Sequence, residues 1–125
     1  MINFNDAFSF DIKAIKKHSK LIQSSISYIE NNTSIKLTVK DISKELFVSE
    51  SKLRNEFLKE MEMPIGKYID DMIFIKARQM LSIAINTISS VSSELGFCDQ
   101  FYFSRRFKEK FGITPTNFRK KNKIY

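Results

Sequence analysis

Residues 38–61 read TVKDISKELFVSESKLRNEFLKEM, and residues 87–111 read TISSVSSELGFCDQFYFSRRFKEKF. In the first stretch Val39, Ile42 and Leu46 share a helical face behind Thr38. Asp41 stands three residues after that threonine, the spacing of a capping box with the shorter acid. Ser49 then caps a second helix, whose Leu53, Phe57 and Met61 recur every four residues. Two short capped helices separated by about three residues describe a helix-turn-helix. The second stretch repeats the pattern. Ser43, Glu45 and Leu46 recur as Ser92, Glu94 and Leu95 at an offset of 49, and Ser49, Leu53, Phe57 and Met61 recur as Asp99, Phe103, Phe107 and Phe111 at an offset of 50. One residue has been added in the second turn. A duplication of this kind constrains the fold more than either half alone.

The flanking segments are helical too. Leu21, Ile22, Ile26 and Ile29 repeat at spacings of three and four and stop at Asn31, Asn32 and Thr33. Between the repeats Pro64 suits a first helical turn, and Ile65, Ile69, Met72, Ile73, Lys76, Met80, Leu81 and Ala84 keep one face as far as Ile85. At about 1.5 Å per residue, roughly 20 residues span about 30 Å. Gly112 closes the second repeat, and Thr114, Pro115 and Thr116 open a last helix with Phe118 and a basic tail. With three glycines and two prolines in the whole chain, little interrupts helices. The expectation is an all-α fold of about seven helices: an N-terminal arm or extra helix over 1–20, a first helix-turn-helix subdomain over 21–63, a linker helix over 64–86, and a second subdomain with its basic tail over 87–125.

At 125 residues and 42% hydrophobic composition, the chain suffices for one ordinary domain or two very small ones sharing a core. The net charge of +7 favours a polyanionic partner, either nucleic acid or an anionic membrane surface. The excess is uneven: residues 1–63 carry 10 basic and 9 acidic side chains, residues 64–125 carry 11 and 5. Cys98 stands alone, so no internal disulfide framework exists. No stretch approaches the roughly 18 apolar residues of a membrane span, and Asn3, Asn5, Asp6 and Ser9 do not suit a signal peptide. A soluble cytoplasmic protein is expected. With His18 the only histidine, a zinc site and a Ser-His-Asp arrangement lack support, and no phosphate-cradling glycine loop is present. No metal, no cofactor and no enzymatic activity are expected. A redox switch at Cys98 lacks a second cysteine to resolve it.

The run Gly96-Phe97-Cys98-Asp99-Gln100-Phe101-Tyr102-Phe103-Ser104-Arg105-Arg106-Phe107-Lys108, continued by Phe111-Gly112-Ile113-Thr114-Pro115 and Phe118-Arg119, resembles the signature of the AraC/XylS family of bacterial transcription regulators. Upstream, Asp41-Ile42 to Leu46, Ser49, Leu53, Phe57, Tyr68-Ile69 and Ala77 to Leu81 fall at that family's positions, so the resemblance covers about residues 21–122. It implies a seven-helix DNA-binding domain whose two recognition helices enter successive major-groove segments of promoter DNA. It also implies an activator that touches RNA polymerase, acting in the bacterial cytoplasm on the nucleoid. Adjacent major-groove faces lie about 34 Å apart, close to the length estimated for the linker helix, so a monomer can hold both recognition helices on one duplex.

Taking about 100° per residue from Leu53, Ser51 and Asn55 fall near 160° and 200°, away from the core, flanked by Lys52 and Arg54. The same arithmetic from Phe103 sends Phe101 and Arg105 outward, with Gln100 in the first turn. By resemblance, the base-contacting positions are Ser51, Arg54 and Asn55 in the first helix and Gln100, Phe101 and Arg105 in the second. The chemistry suits them: arginine pairs with guanine O6 and N7, asparagine or glutamine brackets adenine, and an aromatic ring meets a thymine methyl. Thr38, Lys52, Lys59, Ser104, Arg106, Lys108, Arg119, Lys120 and Lys121 are expected at the DNA backbone, where contacts position without specifying sequence. Tyr102 and the Phe103, Phe107, Phe111 stripe read as core.

Two departures from the family pattern stand out. Ile73 occupies a place where an arginine is usual, and Glu62 replaces the glycine that usually ends the first recognition helix, so that helix is expected to finish without an easy left-handed cap. Together with the nearly neutral first half and with Glu50 and Glu56 on or beside its recognition helix, they suggest that the second subdomain anchors DNA and the first reads it more weakly. They also support a rival, a helical adaptor that binds a protein such as RNA polymerase with reduced DNA affinity. A basic membrane-binding helix fits the charge but leaves the repeat unexplained. Residues 1–20 are too few for the sensing domain that the resemblance implies. Two readings stay open, a stand-alone regulator and one domain of a longer chain.

Overall fold

The structure, a computed structural model, describes residues 18–121. All but the last three residues of the expected N-terminal arm, and the tail beyond Lys121, lie outside the described residues. Seven helices and no strand occur among them: α1 (Lys20–Asn31), α2 (Val39–Glu45), α3 (Glu50–Met61), α4 (Ile65–Leu81), α5 (Ile88–Glu94), α6 (Gln100–Phe111) and α7 (Pro115–Lys121). The fold is all-α, with two helix-turn-helix pairs, α2–α3 and α5–α6, joined in the chain by α4. Two compact units divide it. The first takes the described residues to Asn32 together with Thr38–Lys67, and the second takes Thr33–Leu37 together with Tyr68 onward.

In the first unit α1 buries Ile22, Ile26 and Ile29, the stripe that its spacing predicts. Ser19 starts this helix, its Oγ accepting from the Ile22 N–H at 3.4 Å. Glu60 fixes the cap in turn, accepting from Ser19 N–H at 2.8 Å and Ser19 Oγ at 2.7 Å. Thr38 and Asp41 form the expected capping box, with both hydrogen bonds at 3.1 Å. Val39 and Ile42 from α2 and Leu53 and Phe57 from α3 complete the buried side chains of the two-helix pair. Removing each such side chain from water is worth about 1.5–3 kcal/mol.

The second unit has a more aromatic interior. Phe74 of α4 has the rings of Phe97, Phe103, Phe107 and Phe111 at centroid distances of 6.2, 6.3, 6.4 and 6.3 Å. Ile73, Ala77 and Leu81 continue the buried face of α4, and Val91 and Leu95 come from α5 and its cap. Ile73, at the place where the resemblance expects an arginine, is therefore a core residue. The 33–37 segment joins this unit through the Ile35 N–H, which donates to the Leu95 carbonyl at 2.8 Å.

Helix α4 stops at Leu81, short of the expected Ile85, and Ala84 is exposed. The reason is a cluster of side chains that take over its last carbonyls. Ser82 Oγ donates to the Gln79 carbonyl at 2.6 Å, Asn86 Nδ2 to the Met80 carbonyl at 2.9 Å, and Arg119 Nε to the Leu81 carbonyl at 3.1 Å. At about 1.5 Å per residue the observed helix is about 26 Å long.

Candidate nucleic-acid interface

Each pair turns on the same hydrogen-bond pattern. After α2, Val48 N–H donates to the Ser43 carbonyl at 3.0 Å and Phe47 N–H to the Lys44 carbonyl at 3.3 Å; after α5, Phe97 N–H donates to Ser92 and Gly96 N–H to Ser93, both at 3.0 Å. These are Schellman closures, which place the residue after the cap in the left-handed region. Phe47 (φ 57°) and Gly96 (φ 88°) occupy that place. A side chain at Gly96 would collide with Ser34 Oγ and approach Ile35 Cγ2 to 3.3 Å.

The next helix then begins on a short polar cap. Ser49 Oγ accepts from the Lys52 N–H at 3.0 Å ahead of α3, and Asp99 Oδ1 from the Tyr102 N–H at 2.7 Å ahead of α6. Burial of Leu53 and Phe57 on one helix and of Phe103 and Phe107 on the other turns the opposite edges to solvent. Ser51, Arg54 and Asn55 are exposed on α3, and Gln100, Phe101 and Arg105 on α6. Phe101 is 79% exposed, so most of its ring is available to an outside surface.

Among the residues expected at the DNA backbone, Thr38, Lys52, Lys59, Lys108, Lys120 and Lys121 are exposed and Ser104 is half-buried. Arg106 and Arg119 are engaged within the fold instead. Arg106 donates through Nη2 to Asp70 Oδ1 at 2.5 Å and through Nη1 to Tyr102 Oη at 3.3 Å. Arg119 caps α4 through the Leu81 carbonyl and also bonds the Asn86 carbonyl in the turn that follows, placing a cation at the negative end of that helix. The end of α3 also departs from expectation: Glu62 adopts the left-handed cap (φ 58°, ψ 26°) that the sequence reading denied it, as Gly112 does after α6 (φ 80°).

Residues absent from the sequence reading hold α6 in place. Lys110 Nζ bonds Asp70 Oδ2 at 2.9 Å and also reaches Asp71, so two acids of α4 and two bases of α6 form one network. Burial pushes the Asp70 carboxyl up, but the hydrogen bonds and charges of Lys110 and Arg106 outweigh it and hold it below the usual carboxylate range. Burial likewise pulls Lys110 down, and its bonds to Asp71 and Asp70 more than reverse this. Tyr102, read as core, is 37% exposed at the rim, against Phe97 at 5.7 Å. The spacing of Tyr102, Arg105 and Arg106 at i, i+3 and i+4 is the local signal from which the Tyr102 side of this cluster could be read.

No group of His, Cys, Asp or Glu among the described residues is arranged to hold a metal, and no described helix is long and apolar enough to cross a membrane. A family model described as a helix-turn-helix domain matches residues 42–121. The chain is 36% identical over 84 residues to the Msm operon regulatory protein of Streptococcus mutans, a match covering 67% of this chain and 30% of that one. Several curated relatives are matched over only 30 to 42% of their length. Among solved structures, the C-terminal domain of AraT, a response regulator from Geobacillus stearothermophilus, shares the fold at a TM-score of 0.80 and 23% identity, covering 87% of this chain and 91% of that one. A Chromobacterium violaceum regulator described as having an AraC-type DNA-binding domain shares it at 0.73 and 25% identity, covering 82% and 91%.

Proposed function

The chain belongs to the AraC-type family of helix-turn-helix proteins, and on that premise we propose that it is a sequence-specific regulator of transcription that binds double-stranded promoter DNA. Helices α3 and α6 serve as recognition helices for successive major-groove segments. Ser51, Arg54, Asn55, Gln100, Phe101 and Arg105 face base edges, and Thr38, Lys52, Lys59, Ser104, Lys108, Lys120 and Lys121 face phosphates. The observation that carries this reading is the duplicated exposed edge: two helices, each capped by a short polar side chain, bury two apolar anchors on one face and leave the opposite edge, with Arg54 and Asn55 on one and Gln100 and Arg105 on the other, exposed. The subdomains over 21–63 and 87–125 act as two readers in one chain, so a monomer engages both half-sites. The protein acts in the bacterial cytoplasm on the nucleoid, as an activator that contacts RNA polymerase.

Selection from a random-sequence duplex library, followed by titration of the selected duplex and a scrambled one across salt concentrations, tests this. A selected consensus is expected. With about six phosphates neutralised, log K falls by roughly five per decade of salt. A flat salt response with no preference between the duplexes overturns the proposal in favour of a protein-binding adaptor.

A further inference from the structure

We propose that Tyr102 is a positioning residue that pre-orients Arg105 for reading a guanine, an inference that rests on the DNA-binding role of α6 given above. Tyr102 is the third residue of α6, and its N–H is already fixed by Asp99. Its ring is held from two sides. The Phe97 ring lies 5.7 Å away, and the Tyr102 hydroxyl accepts from Arg106, whose other nitrogen is anchored on Asp70. The Arg105 guanidinium carbon sits 5.4 Å from the centroid of this clamped ring. Arg105 is exposed, and no acidic group among the described residues pairs with it.

A free arginine side chain samples many rotamers, and each must be given up when its planar fork meets O6 and N7 of a guanine. A cation resting over a ring whose own rotamer is locked has lost part of that freedom before DNA arrives. The neighbouring Arg106 could not take the reading role, since its guanidinium is tied to Asp70. The first unit has no such device: Lys52, Asn55 and Glu56 stand at the places of Tyr102, Arg105 and Arg106.

The test is the base-preference profile obtained by selection from a random-sequence duplex library with the full chain and its variants. Arg105→Ala is expected to lose about 10- to 100-fold discrimination at one guanine position. Tyr102→Leu should lose about 2- to 5-fold at that same position and nowhere else, with the salt slope unchanged. Tyr102→Phe, which keeps the ring face and the Phe97 contact but loses the hydroxyl clamp, should fall between the parent and the Leu variant. In the Arg105→Ala background Tyr102→Leu should add nothing. Should Tyr102→Leu unfold, as its unfolding midpoint would reveal, Tyr102→Gln removes the ring with a helix-compatible side chain. A further loss in the Arg105→Ala background would mean that Tyr102 meets DNA directly and overturns the inference, as would a Phe variant as impaired as the Leu one. If Arg105→Ala leaves the profile intact while the parent selects a consensus, the inference falls and the DNA-binding reading stands. If the parent selects no consensus, both fall.

Discussion

The two helix-turn-helix units repeat the same backbone at two left-handed positions and fill them differently. In the second unit both positions are glycine, Gly96 and Gly112; in the first they are Phe47 and Glu62, at φ 57° and 58°. A residue with a Cβ pays about 1–2 kcal/mol to enter this region. Phe47 recovers nothing by burial, because its side chain is 94% exposed. The turn is thus dictated by the hydrogen bonds that close it, and the residue conforms. The first unit carries local strain that the second avoids, and its buried side chains are mainly aliphatic where the second adds the rings of Phe74, Phe97, Phe103 and Phe107.

The largest test of that contrast lies in the aromatic interior. Phe107 is fully buried, with Phe111, Phe118 and Phe103 at 4.7, 5.6 and 5.9 Å. Phe107→Ala should destabilise the protein by about 3–5 kcal/mol in denaturant unfolding. A loss below about 1 kcal/mol, within the range of surface changes, would show that the ring cluster is not what holds the second unit.

The left-handed positions provide a matched pair of opposite sign. Gly96→Ala combines a positive φ with a collision at Ser34 and should cost about 1–3 kcal/mol. Phe47→Gly should stabilise by about 1 kcal/mol, since it relieves the same conformation and gives up no buried surface. If both substitutions destabilise, the strain assigned to the first unit is absent. The same asymmetry has a binding counterpart. Arg105→Ala should weaken binding to the selected duplex by about 1–3 kcal/mol, and Arg54→Ala and Asn55→Ala should each weaken it less. Equal losses would remove the ranking of the two units.

Much of this comparison was legible in the sequence because it is local. Thr38 with Asp41, Ser49 and Asp99 announce helix starts within four residues of themselves, and the 100° arithmetic turns Ser51, Asn55, Phe101 and Arg105 outward, with Arg54 flanking and Gln100 in the first turn; all six are exposed. What escaped is long in range. Arg106 and Asp70 are 36 residues apart, and Arg119 and Leu81 are 38. No local pattern distinguishes an arginine that meets phosphate from one that meets a carbonyl or a carboxylate elsewhere in the chain. The Arg119 cap also explains why helix propensity overran the end of α4. At Glu62 composition misled, because the tertiary turn overrides the preference for glycine.

The smallest expected effect concerns the acids that fasten each unit. Asp70 meets two cations, whereas Glu60 of the first unit is held low chiefly by the Ser19 N–H, and further by the Ser19 hydroxyl and His18. Because the folded pKa of Asp70 lies below its unfolded value, its contribution is present above the unfolded pKa, near 3.9, and is lost as pH falls through the folded one. Asp70→Asn should therefore cost up to about 1 kcal/mol at neutral pH, the range of partly exposed ion pairs. The difference from the parent should shrink below about pH 4 as the parent carboxylate itself takes up a proton. Glu60→Gln removes no pairing with lysine or arginine and should show a weaker dependence. Denaturant unfolding of the three proteins at pH 7 and at successively lower pH reads both slopes. A gap between Asp70→Asn and the parent that persists undiminished in acid would assign the contact to packing and hydrogen bonding alone, and the electrostatic distinction between the two units would then disappear.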